Sequence, residues 1–214
     1  MRMEEFRYEQ KQTETLVLTE DGMHITAFWS RILCGCGTEG TFEPIFVMEN
    51  IIPLFDSTFN YRIIDKDEWR HGCFVDAFYM PTSNEIIIRS DVYDGAQNGN
   101  PLDVITVAHE VVHCIQSIIM RFLNAIKCVD FKTEFCMSNS AEVEHHEIQT
   151  DRITSLVLNP KSLIQGKSDD QIVQDYFVRP LLQFVCGLIR MVGNNLMESL
   201  DDMIAIKEVE QCAV

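Results

Sequence analysis

The chain contains few basic residues: 17 Lys and Arg stand against 33 Asp and Glu, for a formal net charge of −16 at pH 7. The basic residues are scattered along the chain and form no local cluster. A chain this acidic is repelled by DNA phosphates and by anionic lipid headgroups. We therefore expect no direct nucleic-acid partner and no membrane partner.

Long apolar runs are also missing from the sequence. No stretch reaches the ~20 apolar residues that a membrane span needs, and the candidate Pro180–Gly193 is interrupted by Gln183 and Arg190. The first residues, MRMEEFRYEQKQTETL, contain no apolar segment typical of a secretory signal. We therefore expect a cytoplasmic protein whose 214 residues suffice for a domain with a sizeable core.

Closely spaced cysteines are rare, although the chain has 8 cysteines in total. Cys34-Gly35-Cys36 is the one close pair, and the others are dispersed. We expect reduced core thiols, because a cytoplasmic compartment does not favour disulfides. A metal site at the close pair would need two more ligands, for which His71 and Cys73 are the candidates.

The most informative pattern is His109-Glu110-Val111-Val112-His113, an H-E-x-x-H sequence. Histidines four residues apart lie on one face of a helix, so both imidazoles can bind one metal ion. The glutamate between them can then reach a water on that metal, as in zinc peptidases. Asp103 is a candidate N-cap, and apolar residues continue a helical pattern on both sides of the motif: Val104, Ile105, Val107, Ala108, Val111, Val112, Ile115, Ile118 and Ile119.

A zinc peptidase needs a third protein ligand, and the sequence offers one in Ala141–Pro160. An apolar stripe at helical spacing predicts a helix there, with Glu147 and Asp151 on one face. Glu147 can bind the metal, and Asp151 can accept the spare N–H of a ligand histidine and so fix its tautomer. Three other residues in the stretch remain possible ligands: Glu144, His145 and His146. A solvated acidic helix face without a metal also remains open.

Together the two helices resemble the ImmA/IrrE-like metallopeptidases, a bacterial and phage family of gluzincin type. That family follows its H-E-x-x-H helix with a helix of the form E-x-x-A-D-x-F-A-x-x-L-L-x-P. The chain matches this form at four positions, Glu147, Asp151, Leu158 and Pro160. It departs from the form at Thr150, Ile153 and Thr154. The resemblance covers roughly residues 44 to 190.

The resemblance implies a zincin-like fold, a catalytic Zn²⁺ and a protein or peptide substrate. In this family the substrate is a transcriptional repressor of a stress or mobile-element regulon. The family also places a strand before the active-site helix, and Asn84–Asp91 fits that strand. The spacing from His113 to Glu147 is longer than usual, which makes Cys128–Ser140 an insertion.

We predict an α+β protein in three parts. Residues 1–41 form an N-terminal extension with a β-hairpin over Thr13–Trp29. Residues 42–165 form a zincin-like core, in which a small antiparallel or mixed sheet packs on the active-site helix, and residues 166–214 form a C-terminal helical segment packed on that core. Within the core we predict three strands and a loop: Asn60–Ile64, Gly72–Tyr79, Asn84–Ser90 and the loop Asp94–Pro101.

In the expected reaction, zinc is bound by His109, His113 and Glu147 and lowers the pKa of water from ~15.7 towards ~7. Glu110 acts as the catalytic base and then passes the proton to the leaving amine. An extended substrate pairs with Glu85–Arg89 if that strand forms an exposed sheet edge. The possible transition-state donors are Tyr79, Tyr93 and His145.

Two other functions remain open on the sequence alone. One is a non-catalytic metal-binding regulator that acts by binding a repressor protein. The other is an interaction protein without metal, in which His109 and His113 are core histidines. Glu110 weighs against the first, since a structural site needs no base. Burying histidines and carboxylates together without an ion is costly, which weighs against the second.

Overall fold

The computed structural model describes residues 18–37, 40–71, 75–125, 140–186, 188–189 and 192–193. These residues form an α+β structure with a three-stranded mixed sheet and several helices, which agrees with the predicted class. The chain divides into two compact units, Met1–Gln165 and Gly166–Val214. The first unit contains the sheet and both helices that carry the predicted metal ligands.

The first unit alternates helices with the strands of one sheet. Its helices are α1 (Glu20–Leu33), α2 (Pro44–Phe46), a π-helical turn (Val47–Ile51), α3 (Ile52–Phe55), a 3₁₀ turn (Lys66–Glu68), α4 (Ser90–Gln97), α5 (Pro101–Ala125), α6 (Ser140–Leu158) and α7 (Lys161–Ile164). Its strands are β1 (Asn60–Ile64), β2 (Ala77–Met80) and β3 (Glu85–Arg89). The predicted insertion lies almost wholly in residues 126–139, outside the described residues.

Helix α1 replaces the β-hairpin that the sequence predicted for the N-terminal extension, so that prediction was wrong over its described part. Thr19 is the N-cap, and its Oγ1 accepts a hydrogen bond of 3.2 Å from the backbone N–H of Gly22. Glu20 and Asp21 occupy the first turn, where carboxylates interact favourably with the helix dipole. What resembled a hairpin turn is therefore a helix start, and residues 13–17 of the predicted hairpin lie outside the described residues.

Removing the cap at Thr19 tests this assignment. Thr19→Ala is expected to lower the free energy of unfolding by about 1 kcal/mol, because the Gly22 N–H loses its acceptor. Urea denaturation measures the change, and Thr19→Ser is the control that keeps a hydroxyl. Equal midpoints for the alanine and serine variants would contradict a capping role.

The sheet has the order β1-β3-β2, with β1 parallel and β2 antiparallel to β3. The strand predicted at Asn60–Ile64 is confirmed, and the two later strands are present as Ala77–Met80 and Glu85–Arg89. The central strand β3 holds Ile86, Ile87 and Ile88, all fully buried. Each such side chain stabilises the fold by about 1.5–3 kcal/mol relative to an exposed one. Strand β3 therefore anchors the sheet.

Helix α4 occupies the first half of the segment that the sequence predicted as a loop, through Gln97. Gly95 lets α4 pack closely against the following helix, because a Cβ at that position would come within 1.9 Å of Asp103 Oδ2. Only a short connection then separates α4 from α5, which begins at Pro101 and not after the predicted N-cap Asp103. Proline suits the first helical turn, where its missing N–H would have had no helical acceptor.

Helix α5 is the centre of the first unit and packs against β2, β3, α4 and α6. Val107, Ala108, Val111 and Val112 are completely buried, which holds the helix rigidly. Its segment Pro101–Ile119 has a mean hydropathy of 1.4 and could cross a membrane by length and composition alone. A core helix passes the same criterion, and 56% of this segment is buried inside the protein.

The second unit begins with a capped helix, α8 (Asp169–Val173). Ser168 and Gln171 form a capping box, in which each side chain bonds the other residue's backbone N–H. A π-helical turn, Gln174–Val178, follows, and helix continues through residues 179–186. Packing of this segment on the core stays a prediction, and residues 194–214 lie outside the described residues.

Candidate metal centre

The predicted ligands converge between helices α5 and α6. His109 Nε2 and His113 Nε2 are 2.9 Å apart, and Glu147 Oε2 lies 3.0 Å from the first and 3.3 Å from the second. Three donor atoms at such distances are positioned to hold one metal ion. The helical spacing of the histidines brings them together on α5, and the packing of α6 against α5 adds the carboxylate.

The half-exposed Glu147 carboxylate forms the open side of this cluster, while both histidines are largely buried. The side chain of Glu147 is 49% exposed, against 18% for His109 and 10% for His113. A buried pair of imidazoles is held rigidly, whereas the Glu147 side of the cluster is exposed to solvent. Within the part of the chain that the structure describes, three protein donors converge, one fewer than the four that surround the ion in a closed structural metal site.

Each histidine has a partner for its second ring nitrogen. Asp151 Oδ1 lies 3.0 Å from His109 Nδ1, as the sequence predicted. A carboxylate at that nitrogen keeps the hydrogen on Nδ1 and leaves the Nε2 lone pair free for a metal. Thr150 Oγ1 lies 3.4 Å from His113 Nδ1, a contact that the sequence did not predict.

Contacts within the cluster shift the pKa values of Glu147 and His109. Hydrogen bonds with His109 and His113 hold the pKa of Glu147 well below its ordinary range, so the group is ionised at neutral pH. Burial lowers the pKa of His109. The hydrogen bond with Glu147 and the charges of the neighbouring carboxylates outweigh burial, so the pKa is raised overall. An ionised carboxylate beside two imidazole nitrogens is a set of groups that attracts a cation.

Glu110 is buried beside the cluster and is held by the sheet. Its Oε2 accepts a hydrogen bond of 2.7 Å from the backbone N–H of Tyr79 on β2. Burial raises the pKa of Glu110, against the lowering effect of the nearby histidines and of that hydrogen bond. A carboxylate whose pKa moves towards neutrality is a better proton acceptor at neutral pH than an ordinary exposed one.

The substrate strand predicted from the sequence is not a sheet edge. Strand Glu85–Arg89 is β3, the middle strand, and both of its sides are hydrogen-bonded to neighbours. The prediction failed because alternation and composition do not reveal strand order. Among the strands that the structure describes, β2 lies at an edge of the sheet, and it is the strand whose Tyr79 N–H reaches Glu110.

The three predicted transition-state donors have partners outside the cluster. The Tyr79 hydroxyl donates to Asn84 Oδ1 at 2.9 Å, and burial raises its pKa to about 12. The Tyr93 hydroxyl donates to Glu49 at 2.5 Å. His145 is exposed, and its Nε2 contacts the Gln149 amide at 3.2 Å. Their predicted role therefore has no support from these contacts.

The other possible ligands that the sequence left open do not join the three donors. His146 instead stacks on His113, with ring centroids 5.1 Å apart and planes 13° from parallel, and burial lowers its pKa to about 4. Glu144 is exposed. His109, His113 and Glu147 are the single group of at least three converging metal donors within the part of the chain that the structure describes.

A second metal site at Cys34 and Cys36 gains no support from the described residues. Burial raises the pKa of Cys34 to about 12, and it also raises the pKa of Cys36. A thiol must lose its proton to bind a metal, so these shifts disfavour coordination. Cys73, one of the further ligands considered, lies outside the described residues.

Four contacts at the site were missed by the sequence analysis: the Tyr79 amide, Thr150, Gln116 and the stacked His146 ring. Two of these residues carry a local signal. Gln116 follows His113 by three positions and Thr150 follows Glu147 by three, so each shares a helix face with a ligand. The Tyr79 amide has no such signal, because any residue can supply a backbone N–H.

Comparison with known proteins adds no family to this geometry. No family model, curated protein or solved structure matches the chain. The function is therefore inferred from the side chains of the site and from the motifs that they form in the sequence.

Proposed function

We propose that the protein is a cytoplasmic zinc-dependent endopeptidase with a zincin-like fold, of the ImmA/IrrE-like type. The observation that carries the proposal is the convergence of His109, His113 and Glu147, with the buried Glu110 next to them. A zinc peptidase requires these parts together: three protein ligands, an open coordination position and a base.

The donor set supports zinc as the metal. Zinc bonds to histidine nitrogen and carboxylate oxygen are about 2.0–2.1 Å long, which places the ligands of a tetrahedral site about 3.3 Å apart. The three donor atoms are separated by 2.9, 3.0 and 3.3 Å, so small movements suffice for tetrahedral coordination. Two nitrogens and one oxygen also suit zinc better than magnesium or calcium, which prefer oxygen ligands.

Glu110 is the catalytic base in the proposed mechanism. When bound, zinc supplies a Lewis acid that lowers the pKa of water and polarises a carbonyl. Glu110 accepts a proton from the attacking water and returns it to the nitrogen of the leaving amine as the C–N bond breaks. The water oxygen remains on the new carboxyl group, and Glu110 ends the cycle ionised. The Tyr79 N–H keeps the carboxylate oriented while the proton moves.

Strand β2 is the proposed binding edge for an extended substrate. Arg89 N–H donates to Asp76 O, which sets the alternation of the antiparallel pair. The backbone groups of Ala77 and Tyr79 then point away from β3. Of these groups, the Tyr79 N–H is already bound to Glu110, so a peptide would pair with the Ala77 N–H and C=O and with the Tyr79 C=O. Such pairing places the peptide next to Glu110 without requiring a particular side chain. A protein segment in an extended conformation fits this edge.

The proposed substrate is a transcriptional repressor, on the resemblance to the ImmA/IrrE-like family alone. The net charge of −16 supports an indirect action on gene expression, because the chain is repelled by DNA. The alternative, a non-catalytic metal-binding regulator, shares the repressor as partner but leaves Glu110 without a task.

Metal content and chelator-sensitive cleavage test the proposed function. The purified protein is expected to contain about one zinc per chain by elemental analysis, as a three-ligand site binds one ion. It is expected to cleave peptides from a synthetic mixture, detected by mass spectrometry, with activity lost on chelation and regained with zinc. His113→Ala is expected to lose the metal, whereas His24→Ala, on α1, keeps it.

The outcomes separate the candidate functions. A wild-type protein that binds zinc but cleaves neither the peptide mixture nor a co-expressed repressor would support the non-catalytic regulator. A wild-type protein that binds no zinc would overturn both metal-dependent functions and leave the interaction protein.

A further inference from the structure

The environment of His113 differs from that of the other ligand histidine. His109 has the carboxylate of Asp151 at its Nδ1. His113 lies deeper, at 8% exposure, and its Nδ1 is 3.4 Å from the hydroxyl of Thr150, which is completely buried. Metal coordination through Nε2 places the hydrogen of His113 on Nδ1, and a buried N–H without an acceptor is costly.

The hydroxyl of Thr150 is arranged to be that acceptor. Its oxygen lies 3.0 Å from Gln116 Oε1 and 2.9 Å from the backbone carbonyl oxygen of His146. A hydroxyl has one hydrogen and two lone pairs. Whichever of the two oxygens receives the hydrogen, a lone pair of Thr150 remains for His113 N–H. The hydroxyl hydrogen of Thr150 is bound by one of these two oxygens and therefore does not point towards His113 Nδ1.

A neutral acceptor suits this position for an electrostatic reason. Thr150 is fully buried and Gln116 is 6% exposed, so a second carboxylate here would be desolvated without a cation beside it. Asp151 is 71% exposed at its side chain and keeps its hydration while it holds His109. The two ligand histidines are therefore oriented differently, one by an exposed charge and the other by buried neutral groups.

We propose that Thr150, supported by Gln116, is the positioning residue of His113, which it holds in the metal-binding tautomer and orientation. This proposal rests on the metal site of the proposed function. The simpler role for Thr150 is a hydroxyl that bonds the carbonyl four residues earlier in its own helix, as is common for threonine. That role does not involve Gln116 or a ring nitrogen, and it predicts no effect on metal affinity.

Zinc affinity of near-isosteric variants tests the proposal. Thr150→Val removes the hydroxyl at nearly constant volume and is expected to weaken zinc binding about 10–100-fold, the usual effect of losing a group that orients a ligand. The dissociation constant is measured by competition with a chromophoric chelator. Thr150→Ser keeps the hydroxyl and is expected to bind zinc as tightly as the wild type.

Thr154→Val is the matched control. Thr154 lies one turn further along α6 and is 3% exposed, and its hydroxyl has no hydrogen-bond partner among the residues that the structure describes. Its replacement removes a buried hydroxyl from the same helix without touching a ligand, so zinc affinity is expected to stay unchanged. Thermal unfolding of the metal-free variants measures their stability, and the differences in zinc affinity are expected not to follow the differences in unfolding temperature.

Zinc affinities of the wild type and of the variants separate the possible outcomes. Unchanged zinc affinity in Thr150→Val, with tight binding by the wild type, would overturn the positioning role and leave the proposed function intact. Absence of zinc binding by the wild type would overturn both. Should Thr150→Val not fold, Gln116→Met is measured instead. A weaker zinc affinity in that variant supports the proposal, and wild-type affinity contradicts it.

Discussion

Replacing Glu110 with glutamine is expected to lower the rate of peptide hydrolysis about 10²–10⁴-fold while the zinc content stays unchanged. Glutamine has nearly the same size and keeps an oxygen that can accept the Tyr79 N–H, so the local structure is retained. The amide cannot take up a proton from water, and the reaction loses its base. Steady-state kinetics on a cleaved peptide gives kcat, and elemental analysis gives the zinc content.

Glu147→Gln is the matched comparison for this prediction, since it makes the same chemical change at a ligand. It is expected to reduce zinc binding itself, because a neutral amide oxygen is a weaker donor than a carboxylate. The two glutamine variants thus separate the base from the ligand. Normal turnover by Glu110→Gln with full metal content would remove Glu110 from the mechanism.

The second large effect is expected at Arg31, whose side chain is 2% exposed. Its guanidinium donates to three backbone carbonyls: to Gly37 O at 2.9 Å, to Val157 O at 2.6 Å and to Gly40 O. These bonds join the end of α1 and its following loop to the C-terminal end of α6. Burial lowers the pKa of the guanidinium, because removing the charge from water costs free energy. The hydrogen bonds to the three carbonyls offset that cost.

Arg31→Met is expected to lower the free energy of unfolding by about 3 kcal/mol or more. Methionine fills much of the same space, but three hydrogen bonds from a charged donor are lost, one of them buried and two part-buried. A hydrogen bond to a charged group contributes about 1.5–3 kcal/mol. Arg31→Lys is expected to recover only part of the loss, since an ammonium group lacks the planar fork that reaches all three acceptors. Urea denaturation of the metal-free proteins measures both changes.

Arg62→Met provides the control for the removal of an arginine. Arg62 pairs with Glu85 at 3.3 Å on the surface, with 56% of its side chain exposed. Exposed ion pairs contribute about 0–1 kcal/mol, so this variant is expected to unfold at nearly the wild-type midpoint. Equal destabilisation by the two methionine variants would contradict the role assigned to Arg31.

The fold was partly predictable because helices and strands carry local periodic signals. Strand Asn60–Ile64 was predicted with its observed bounds, and the helix of Glu147 within a residue or two at each end. The hairpin predicted over Thr13–Trp29 was wrong because Glu20-Asp21-Gly22 satisfies both a turn and a helix start. What favours the helix is Thr19 as a cap and the burial of Met23, Ala27 and Phe28 on one face.

The candidate site was predictable to the extent that it is built on single helices. The spacing of His109 and His113, and of Glu147 and Asp151, places each pair on one helix face whatever the rest of the chain does. The hydrogen bond from the Tyr79 amide to Glu110 was not predictable, since it depends on which strand lies at the sheet edge. Strand order follows from the packing of all the strands and helices.

Local spacing along the chain accounts for the composition of the site: two imidazoles, a glutamate between them, and a carboxylate pair on a second helix. These follow from a repeat of 3.6 residues per turn, which acts over a few residues and needs no partner. Long-range packing is what makes the two helices meet at one point, β2 face Glu110, and Thr150 and Gln116 lie beside His113. Such contacts join residues distant in the chain, and they form because burying the apolar faces of α5, α6 and the sheet stabilises one arrangement.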